Sequence, residues 1–401
     1  MAWLKCNYTW KVRENGGMQA KRDIVILGST GSIGLQALEV ISANPELFRV
    51  IGLSAGFGNH KLLADQAKKF HVPIIGTSST EFSAELPAGV SVICGAKASP
   101  EIASIPADIV LNGITGSVGL ASTLSALSAG NVVALANKES LVAGGELVTS
   151  FGRERLSPVD SEHSAIFQAM LGGKRNEIKK LVITASGGAF RDRTDLAGVT
   201  IEDALAHPTW SMGPVVTINS ATLVNKGLEI IEAHYLFDIP YSQIDAVIHP
   251  QSVVHSMVEF FDGSTIAQAS PPNMKGPIAY ALGYPNRVER ATSPIDWSKP
   301  HSWEFRPIDN QRFPAVDLAR RVGEIGRGLP AIYNAANESA VSAFLSKRIG
   351  FTSILRVVSN TVEKIEGKSL SELRDLSDVS ALENDARTVA EELIKKEGSS
   401  S

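Results

Sequence analysis

The first half of the chain alternates short apolar runs with helical patterns. Apolar runs lie at Asp23–Leu27, Arg49–Leu53, Ile74–Ile75, Ile109–Leu111 and Val132–Leu135, and helical patterns lie at Leu35–Ile41 and Lys61–Phe70. Short, nearly continuous apolar runs predict strands that are buried on both faces. Their alternation with helices predicts a parallel sheet joined by crossover helices.

The second half has a different pattern. Strands are predicted at Leu181–Thr184, Ala246–Ile248 and Val253–Phe260, with a strong helix from Ser220 to Leu236. Four prolines between positions 294 and 314 exclude long helices there and predict an ordered linker. The one-face helical spacing near the C-terminus predicts a structural helix, and its apolar positions are Val379, Leu382, Ala386, Val389, Ala390 and Leu393.

Composition excludes several classes of protein. A length of 401 residues suits two or three domains. Lys+Arg 38 against Asp+Glu 42 gives a net charge of −4, without the basic excess that nucleic-acid binding requires. Two cysteines, Cys6 and Cys94, are too few for a disulfide framework or a zinc site, and they favour a reducing, cytoplasmic setting.

Two segments resemble targeting or membrane signals but are interpreted otherwise. Ile109–Asn137 is uncharged, yet asparagines and glycines interrupt it, which predicts a buried strand–helix–strand unit and no membrane span. The N-terminus has no apolar stretch of the secretory type. We expect Met1–Gly17, which precedes a second methionine at Met18, to be unnecessary for folding and activity.

Three glycines join the first predicted strand to the first helix. Gly28, Gly31 and Gly34 recur at a spacing of three, which lets the backbone turn tightly and approach a pyrophosphate at the helix N-terminus. Their placement predicts a Rossmann-type dinucleotide site, with an ordinary tight turn as the alternative.

The turn after the second strand indicates which dinucleotide binds. An NAD enzyme places an acid here for the ribose 2′-hydroxyl, and this chain has none. The turn instead contains Gly56, Gly58, Asn59, His60 and Lys61. These residues favour NADPH over NADH, unless His60 and Lys61 merely begin an exposed helix.

Two acids follow the strand-like segment near position 157. Alternation along a strand would put Asp160 and Glu162 on one face, and their oxygens suit Mg²⁺ or Mn²⁺. Solvated surface carboxylates are the alternative. Lys138, between Asn137 and Glu139 at another strand end, is either a substrate-binding residue or a solvated lysine.

A phosphate site is predicted in the second half. Ser220 is a plausible helix N-cap, and Glu229 lies one helical turn after Asn225 and Lys226. Asn225 and Lys226 suit a phosphate, with Glu229 as a third metal ligand, although Lys226 and Glu229 could instead form an ordinary surface pair. Ser186 on its glycine-rich turn offers a further hydroxyl.

Three histidines and a tryptophan complete the candidates. The segment His207–Gly213, with the apolar Trp210 inside a loop, predicts a mobile lid that closes over the phosphate end of a substrate. His249 and His255 lie on a strand pattern without flanking acids or cysteines, so we expect both to be buried and hydrogen-bonded.

Together these segments resemble the 1-deoxy-D-xylulose 5-phosphate reductoisomerase family of the non-mevalonate isoprenoid pathway. The matching motifs run in the family's order from Gly28 to about Leu345. They are GSTGSIG, LANKESLV, VDSEHSA, SGGAFR, HPTWSMG, SATLVNKGLEIIEA, HPQSVVHSMVEF and PAIYNAANESAV. The combination is highly specific, although Asn219 and Asn273 stand where the family usually has aspartate, and Ala55–Asn59 replaces its AGKN-type turn.

The resemblance implies an α/β protein with an N-terminal Rossmann-type dinucleotide-binding domain, an α+β catalytic domain and a C-terminal helical domain. The expected parts are an NADPH-binding domain at 18–169, a catalytic or connective domain at 170–293, a linker at 294–325 and a helical domain at 326–398. A cytoplasmic homodimer that binds neither nucleic acid nor membrane is expected.

The resemblance also assigns residues by motif. NADPH is expected to contact Thr30, Gly31, Ser32, Ile33, Asn137, Glu139 and Gly213, with Gly56, Gly58 and Asn59 near its 2′-phosphate. The expected ligands of Mg²⁺, Mn²⁺ or Co²⁺ are Asp160, Glu162 and Glu229. The expected substrate contacts are Lys138, Ser161 and Glu162 at the hydroxyls and backbone of the substrate, and Ser186, His207, Ser220, Asn225 and Lys226 at its phosphate end, with Glu229 as a further contact. The expected catalytic residues are Lys138, Glu162, His207 and Glu229.

The implied reaction converts 1-deoxy-D-xylulose 5-phosphate and NADPH into 2-C-methyl-D-erythritol 4-phosphate and NADP⁺. Two rival functions are weighed against this reaction. One is a phosphorylating semialdehyde dehydrogenase, which needs a cysteine that opens a helix, and Cys94 is unsuitable because it lies in a strand pattern. The other is a redox sensor that binds NADPH without turnover.

Overall fold

The computed structural model describes residues 20–210, 212–367, 370 and 372–398. The segment Met1–Gly17, expected to be dispensable, lies outside the described residues. The strands are β1 (Arg22–Leu27), β2 (Phe48–Ala55), β3 (Ile74–Thr77), β4 (Ser91–Cys94), β5 (Ile109–Asn112), β6 (Val132–Leu135), β7 (Leu156–Pro158), β8 (Ile178–Ala185), β9 (Ile244–Ile248), β10 (Val254–Phe260), β11 (Thr265–Ala269) and β12 (Arg306–Pro307).

The helices follow the same chain order. They are α1 (Ser32–Ala43), α2 (His60–Phe70), α3 (Ala98–Ala103), α4 (Leu120–Ser128), α5 (Lys138–Thr149), α6 (Ser161–Met170), α7 (Ile201–Leu205), α8 (Pro214–Ala221), α9 (Val224–Phe237), α10 (Lys275–Gly283), α11 (Ala315–Ile325), α12 (Leu329–Leu345), α13 (Phe351–Glu366) and α14 (Leu376–Gly398). Among the described residues, each helix is too short or too polar to cross a lipid bilayer.

The chain divides into two compact units. Unit 1 comprises the described parts of Met1–Ser140, Val148–Ser164 and Asn273–Ser293. Unit 2 comprises the described parts of Leu141–Leu147, Ala165–Pro272 and Pro294–Ser401. The finer division into parts at 18–169, 170–293, 294–325 and 326–398 stays a prediction.

Unit 1 is built on a seven-stranded parallel sheet. The strand order is β4-β3-β2-β1-β5-β6-β7, so the chain moves outward from β1 on one side and then continues on the other. Buried residues of the central strands include Ile24, Leu53 and Leu111. Ile41 of α1 and Leu282 of α10 belong to the same core. Because helices cover this sheet, its strands consist of nearly continuous apolar runs.

Unit 2 combines a five-stranded mixed sheet with the C-terminal helices. The strand order is β11-β10-β8-β9-β12, with β8 and β9 parallel and the other pairs antiparallel. Helix α9 packs on α11, and α12 packs on α13 and α14. Most residues of α12 are buried, as expected for a helix that is apolar on nearly every face.

The predicted fold class is confirmed, with a parallel sheet near the N-terminus and helices at the C-terminal end. The uncharged stretch Ile109–Asn137 forms β5, α4 and β6, as predicted. Among the described residues, the proline-rich stretch 294–314 contains β12 and no α-helix. The predicted C-terminal helix is α14, which buries Val379, Ala386 and Ala390.

Gly34 allows α1 to lie close to the loop after β1, and we expect Gly34→Ala to destabilise unit 1. A Cβ atom there would lie 2.5 Å from the Gly28 carbonyl oxygen and the Ser29 Cα, both of them backbone atoms. Overpacking of this kind lowers the free energy of unfolding by about 1–3 kcal/mol. Denaturant unfolding measures the change. Gly56→Ala is the control, since its Cβ would meet nothing within 4 Å. Equal stability of the two variants would contradict the close approach.

Candidate active site

The loops that follow β1, β2, β5, β6 and β7 begin on one line across the sheet of unit 1. Leu27 of β1 pairs with Ser54 of β2 and with Asn112 of β5. Asn112 pairs with Leu135 of β6, which in turn pairs with Pro158 of β7. Because these strands are parallel, their loops leave the sheet at the same edge, where open α/β sheets bind ligands. The predicted sites of this unit at residues 28–33, 56–59, 137–139 and 160–162 share that edge.

The glycine loop after β1 is held by a buried glutamine of α2. Gln66 donates from Nε2 to the carbonyl oxygen of Ser29 at 2.9 Å, and the hydroxyl of Ser29 donates back to Gln66 Oε1 at 2.8 Å. Gly31, the N-cap of α1, has no side chain with which to cap the helix, and Gly31 and Ser32 are exposed. The first N–H groups of α1 are therefore placed to receive an anion, next to the half-buried Thr30 and Ile33.

The turn after β2 contains no acid. Its exposed residues are Gly56, Phe57, Gly58 and Asn59. His60 lies with Nδ1 2.9 Å from the hydroxyl of Ser83, and Lys61 pairs with Asp65 at 2.8 Å. Both members of the Lys61–Asp65 pair are largely exposed, so the pair contributes little stability and Lys61 can turn towards an anion.

Asn137 joins the loop after β6 to the loop after β5. Its buried amide donates to the carbonyl oxygens of Ile114 at 2.7 Å and Gly116 at 2.9 Å, and it lies 3.0 Å from Glu139 Oε2. Its Oδ1 atom accepts from the backbone N–H of Ser140 at 3.0 Å. These bonds occupy the donors and the acceptor of the side chain. If Asn137 contacts the cofactor as predicted, it therefore does so through its backbone.

The acids after β7 lie at a helix start, so the prediction that Asp160 and Glu162 share one face of a strand is wrong. Strand β7 ends at Pro158 and α6 begins at Ser161, which puts Glu162 in the first helical turn. Asp160 Oδ1 lies 3.3 Å from the backbone nitrogen of Glu162, and the Asp160 carbonyl accepts from the Ser164 N–H at 2.8 Å. Asp160 thus occupies the N-cap position, and this cap ends the extended segment.

Lys138 and Asp160 form an ion pair at 2.6 Å, with each side chain 13% exposed. Burial alone would raise the pKa of Asp160, but the Lys138 ammonium and the His163 ring hold it well below its ordinary value. The hydroxyl of Ser161 donates to the Glu162 carboxylate. Asp160 and Glu162 therefore offer hard oxygen ligands of the kind that Mg²⁺ and Mn²⁺ prefer.

The predicted phosphate residues of unit 2 gather where β8 ends. The turn Ser186–Gly188 follows β8, and Gly188 has a φ of 67°. A Cβ atom on Gly188 would lie 2.5 Å from the carbonyl oxygen of Ser220, so the turn packs directly on that residue. Lys226 donates to the carbonyl oxygen of Thr184, near the end of β8. Ser186, Ser220 and Lys226 therefore lie around one strand end.

His207 is held as a neutral ring. Its Nδ1 atom accepts from the backbone N–H groups of Thr209 at 3.1 Å and Trp210 at 2.9 Å. A ring nitrogen that accepts is unprotonated, so the proton lies on Nε2, which donates to the Ser186 hydroxyl at 2.9 Å. Burial and then the positive charge of Arg191 lower the pKa of His207 to about 4. The hydroxyl proton of Ser186 is consequently available to a phosphate oxygen.

The predicted single helix from Ser220 to Leu236 is wrong. Helix α8 ends at Ala221 and α9 begins at Val224, with Leu223 between them at a φ of 58°. Ser220 lies in the last turn of α8 and is not an N-cap. A left-handed leucine is uncommon, so residue preferences do not predict this break. Leu223 is 2% exposed, which indicates that tertiary packing stabilises the conformation.

The predicted neighbours on α9 are confirmed. Lys226 forms an ion pair with Glu229, and the Asn225 amide donates to the same carboxylate. The side chains of Lys226 and Glu229 are 3% and 1% exposed, so the alternative of an ordinary surface pair is wrong. Removal of either partner of such a buried pair destabilises the fold, because an uncompensated charge would remain.

Three further side chains support these sites and were not singled out from the sequence. They are Gln66 beside the glycine loop, His163 with a ring nitrogen 3.7 Å from Asp160, and Arg191, which donates to the Ser186 carbonyl oxygen at 3.1 Å. The three-residue helical spacing from Asp160 could have indicated His163. Gln66 lies 37 residues from Ser29, and no local pattern links the two.

The predictions for the two strand histidines and for Cys94 can also be compared with the structure. His249 and His255 are buried and hydrogen-bonded, as predicted, with His249 Nδ1 2.8 Å from the Glu304 carbonyl oxygen and His255 Nε2 3.1 Å from that of Ser270. Cys94 ends β4 and is exposed, so it does not open a helix as a thiol-dependent dehydrogenase requires.

The predicted lid lies between α7 and α8. Ser211 is outside the described residues, and the closing movement stays a prediction. Gly213 is the N-cap of α8, and the ring of Trp210 lies 6.2 Å from that of His255.

Arg191→Gln should raise the pKa of His207 from about 4 towards, but not to, its ordinary value of 6.5, because burial remains after the positive charge is removed. Imidazole nitrogen chemical shifts followed against pH measure this change, with His207→Gln identifying the signal.

His207 contributes stability above pH 6.5 that is lost as the pH falls through about 4.

Arg193→Gln is the matched control, since the Arg193 side chain is 41% exposed and pairs with Asp203. It should leave the pKa of His207 unchanged. An identical His207 titration in the two arginine variants would show that Arg191 does not act on the ring.

Three protein-family models match the chain. The model of 1-deoxy-D-xylulose 5-phosphate reductoisomerase matches residues 24–145, and the model of its C-terminal domain matches residues 156–237. A model described as the DXP reductoisomerase C-terminal domain matches residues 269–389.

Similar proteins carry the same name. The 1-deoxy-D-xylulose 5-phosphate reductoisomerase of Kitasatospora griseola is 54% identical over 383 residues, which cover 92% of this chain and 99% of the relative. A solved structure of the Zymomonas mobilis enzyme in complex with NADPH is 40% identical, covers 94% of this chain and 99% of its own, and has a TM-score of 0.84. A DOX-P reductoisomerase in complex with NADPH, fosmidomycin and magnesium is 37% identical, with 93% and 98% coverage and a TM-score of 0.86. The chain therefore belongs to the 1-deoxy-D-xylulose 5-phosphate reductoisomerase family.

Proposed function

We propose that the chain converts 1-deoxy-D-xylulose 5-phosphate and NADPH into 2-C-methyl-D-erythritol 4-phosphate and NADP⁺, with a divalent metal ion as cofactor. One observation carries the proposal. A dinucleotide-type glycine loop and the Lys138–Asp160 pair with Glu162 lie on the same edge of one parallel sheet. Reduction and metal-assisted rearrangement need these two sets of groups side by side.

NADPH binds along this edge. The start of α1, at Thr30, Gly31, Ser32 and Ile33, receives the pyrophosphate, because no side chain caps this helix end and Gly31 and Ser32 are exposed. The turn after β2, at Gly56, Gly58 and Asn59, lies on one side of β1 and takes the 2′-phosphate, because it carries no acid to repel it. The loop after β6, with Asn137 and Glu139, lies on the other side of β1 and contacts the nicotinamide half. Gly213 adds a contact that the family resemblance supports.

Asp160, Glu162 and Glu229 hold Mg²⁺, Mn²⁺ or Co²⁺. Their donor chemistry fits such an ion: Asp160 stays anionic because its pKa is low, and Glu162 is oriented by the hydroxyl of Ser161. Glu229 is a buried carboxylate held by Asn225 and Lys226. When bound, the metal polarises the substrate carbonyl and offsets negative charge during the rearrangement.

Lys138 prepares both the ligand and the substrate site. Its ammonium group orients Asp160 at 2.6 Å and offsets the charge of the neighbouring carboxylates. An ammonium group has three protons, so Lys138 can also donate to a substrate hydroxyl. Ser161 and Glu162, in the first turn of α6 directly after Asp160, contact the substrate backbone and its hydroxyls.

The residues around the end of β8 bind the phosphate. Ser186 donates its hydroxyl proton, which neutral His207 leaves available, while Ser220, Asn225 and Lys226 supply further donors. Because the phosphate does not react, its binding energy can orient the reacting carbons and the carbonyl group.

The active form is a cytoplasmic homodimer. Strand β11 ends the sheet of unit 2 and has a neighbouring strand on one side only within the described part of the chain. Ile266 on this strand and the nearby Phe261 are exposed apolar residues. An exposed apolar edge strand favours pairing with a second chain, which supports the dimer. The chain has only two cysteines, which supports a cytoplasmic location, because proteins of oxidising compartments commonly carry disulfides.

The purified chain should consume NADPH only when 1-deoxy-D-xylulose 5-phosphate and Mg²⁺ or Mn²⁺ are both present, as followed by NADPH absorbance. A chelator should stop the reaction. NADPH should give a higher kcat/KM than NADH, since the turn after β2 lacks an acid. Binding of NADPH without its consumption would support a redox sensor. Comparable kcat/KM for the two cofactors would contradict the role given to that turn.

Glu229→Gln should retain NADPH binding and lower turnover by at least about 10–100-fold, because it weakens the metal site. Isothermal titration measures NADPH binding, and steady-state assays across metal concentrations measure turnover. Glu363→Gln, which changes an exposed glutamate of α13, is the control and should behave as wild type. Near-normal activity of Glu229→Gln with unchanged metal dependence would exclude Glu229 as a ligand.

A further inference from the structure

Two buried asparagines distinguish α12 from an ordinary structural helix. Asn334 and Asn337 are 1% and 0% exposed, among residues that are otherwise mainly apolar. Buried amides cost free energy unless hydrogen bonds replace water. The partners of the two amides differ, and this difference indicates separate roles.

Asn334 bonds within its own helix. Its amide donates to Glu338 at 3.1 Å, and Glu338 also accepts from Arg387 of α14 at 2.8 Å. These two bonds join α12 to α14, and neither of them involves a proposed substrate residue.

Asn337 bonds across the unit. Its Nδ2 atom donates at 2.9 Å to Oδ1 of Asn219, 118 residues earlier in the chain and 5% exposed in α8. The buried Oδ1 atom of Asn337 has no hydrogen-bond partner among the described residues. An apolar pair of similar shape would pack without that unsatisfied oxygen, so stability alone explains the pair poorly. A directional bond does fix the position of α12 against α8, since a shift along either helix would break it.

Asn219 immediately precedes Ser220, the serine that packs against the Gly188 turn. After Ser220 the chain breaks at Leu223 and enters α9, which carries Asn225 and Lys226. The end of α8, just before the α8–α9 junction, is therefore contacted by the Gly188 turn at Ser220 and bonded by Asn337 at Asn219.

We propose that Asn337 is a positioning residue for the phosphate end of the substrate. Through Asn219 it holds Ser220 and the α8–α9 junction in the geometry that binds the phosphate. The inference rests on the proposed function, and it gives the C-terminal helices a part in substrate binding.

Asn337→Leu, which removes the donor while nearly preserving volume, tests this role. The KM for 1-deoxy-D-xylulose 5-phosphate and the Kd for fosmidomycin should both rise roughly tenfold, the effect of losing about 1.4 kcal/mol of binding energy. The KM for NADPH should be unchanged, and kcat should fall by less than about threefold, because the reacting groups are untouched. Calorimetry with fosmidomycin provides a readout besides activity.

Asn334→Leu is the matched control, because it removes an equally buried amide three residues away on the same helix. It should lower the Tm by a comparable amount and leave both substrate constants unchanged. Asn219→Leu should reproduce the effect of Asn337→Leu, and the double variant should be no worse than either single variant. Asn219→Asp keeps the acceptor oxygen, so its KM for the substrate and its Kd for fosmidomycin should stay near those of wild type.

The outcomes separate two failures. Equal substrate constants in Asn337→Leu and Asn334→Leu would overturn the positioning role, and so would additive effects in the double variant. If Asn337→Leu does not fold, Asn219→Leu provides the test. An unchanged KM for the substrate in Asn219→Leu would also overturn the positioning role. Absence of turnover in the wild-type protein would instead overturn the proposed function, and this inference with it.

Discussion

The parallel register of the sheet in unit 1 is the constraint on which its sites depend. Five strands end within one residue of a single line, which runs from Ser54 through Leu27, Asn112 and Leu135 to Pro158. The glycine loop, the acid-free turn, the Asn137 loop and the acids after β7 therefore leave the sheet side by side. A shift of one strand would separate these groups even if every side chain were retained.

Charge compensation is the second physical theme. Asp160 pairs with Lys138 in unit 1, and Glu229 pairs with Lys226 in unit 2. Buried carboxylates are costly without a nearby cation, so each lysine stabilises a carboxylate that we propose as a metal ligand. Both lysines are also proposed substrate contacts, which would link the stability of the site to its chemistry.

Neutral donors play the complementary part around the end of β8. His207 is fixed as a neutral ring by two backbone N–H groups, and it orients Ser186 without adding charge. Ser220 is placed by contacts from the Gly188 turn and, through Asn219, from α12. The geometry of this region therefore comes from elements that are far apart in the chain.

The sequence by itself determined the alternating elements, the glycine loop and the residue types of each site, because these depend on local apolar periodicity and on short motifs. Only the tertiary structure decided that Asp160 caps a helix, that Leu223 divides the segment from Ser220 to Leu236, and that Gln66, Arg191 and Asn337 support the sites. A helix cap in place of one more strand residue, and a left-handed leucine, are stabilised by the surrounding packing and hydrogen bonds. Such contacts join residues that lie far apart in the chain, and short-range patterns carry no record of them.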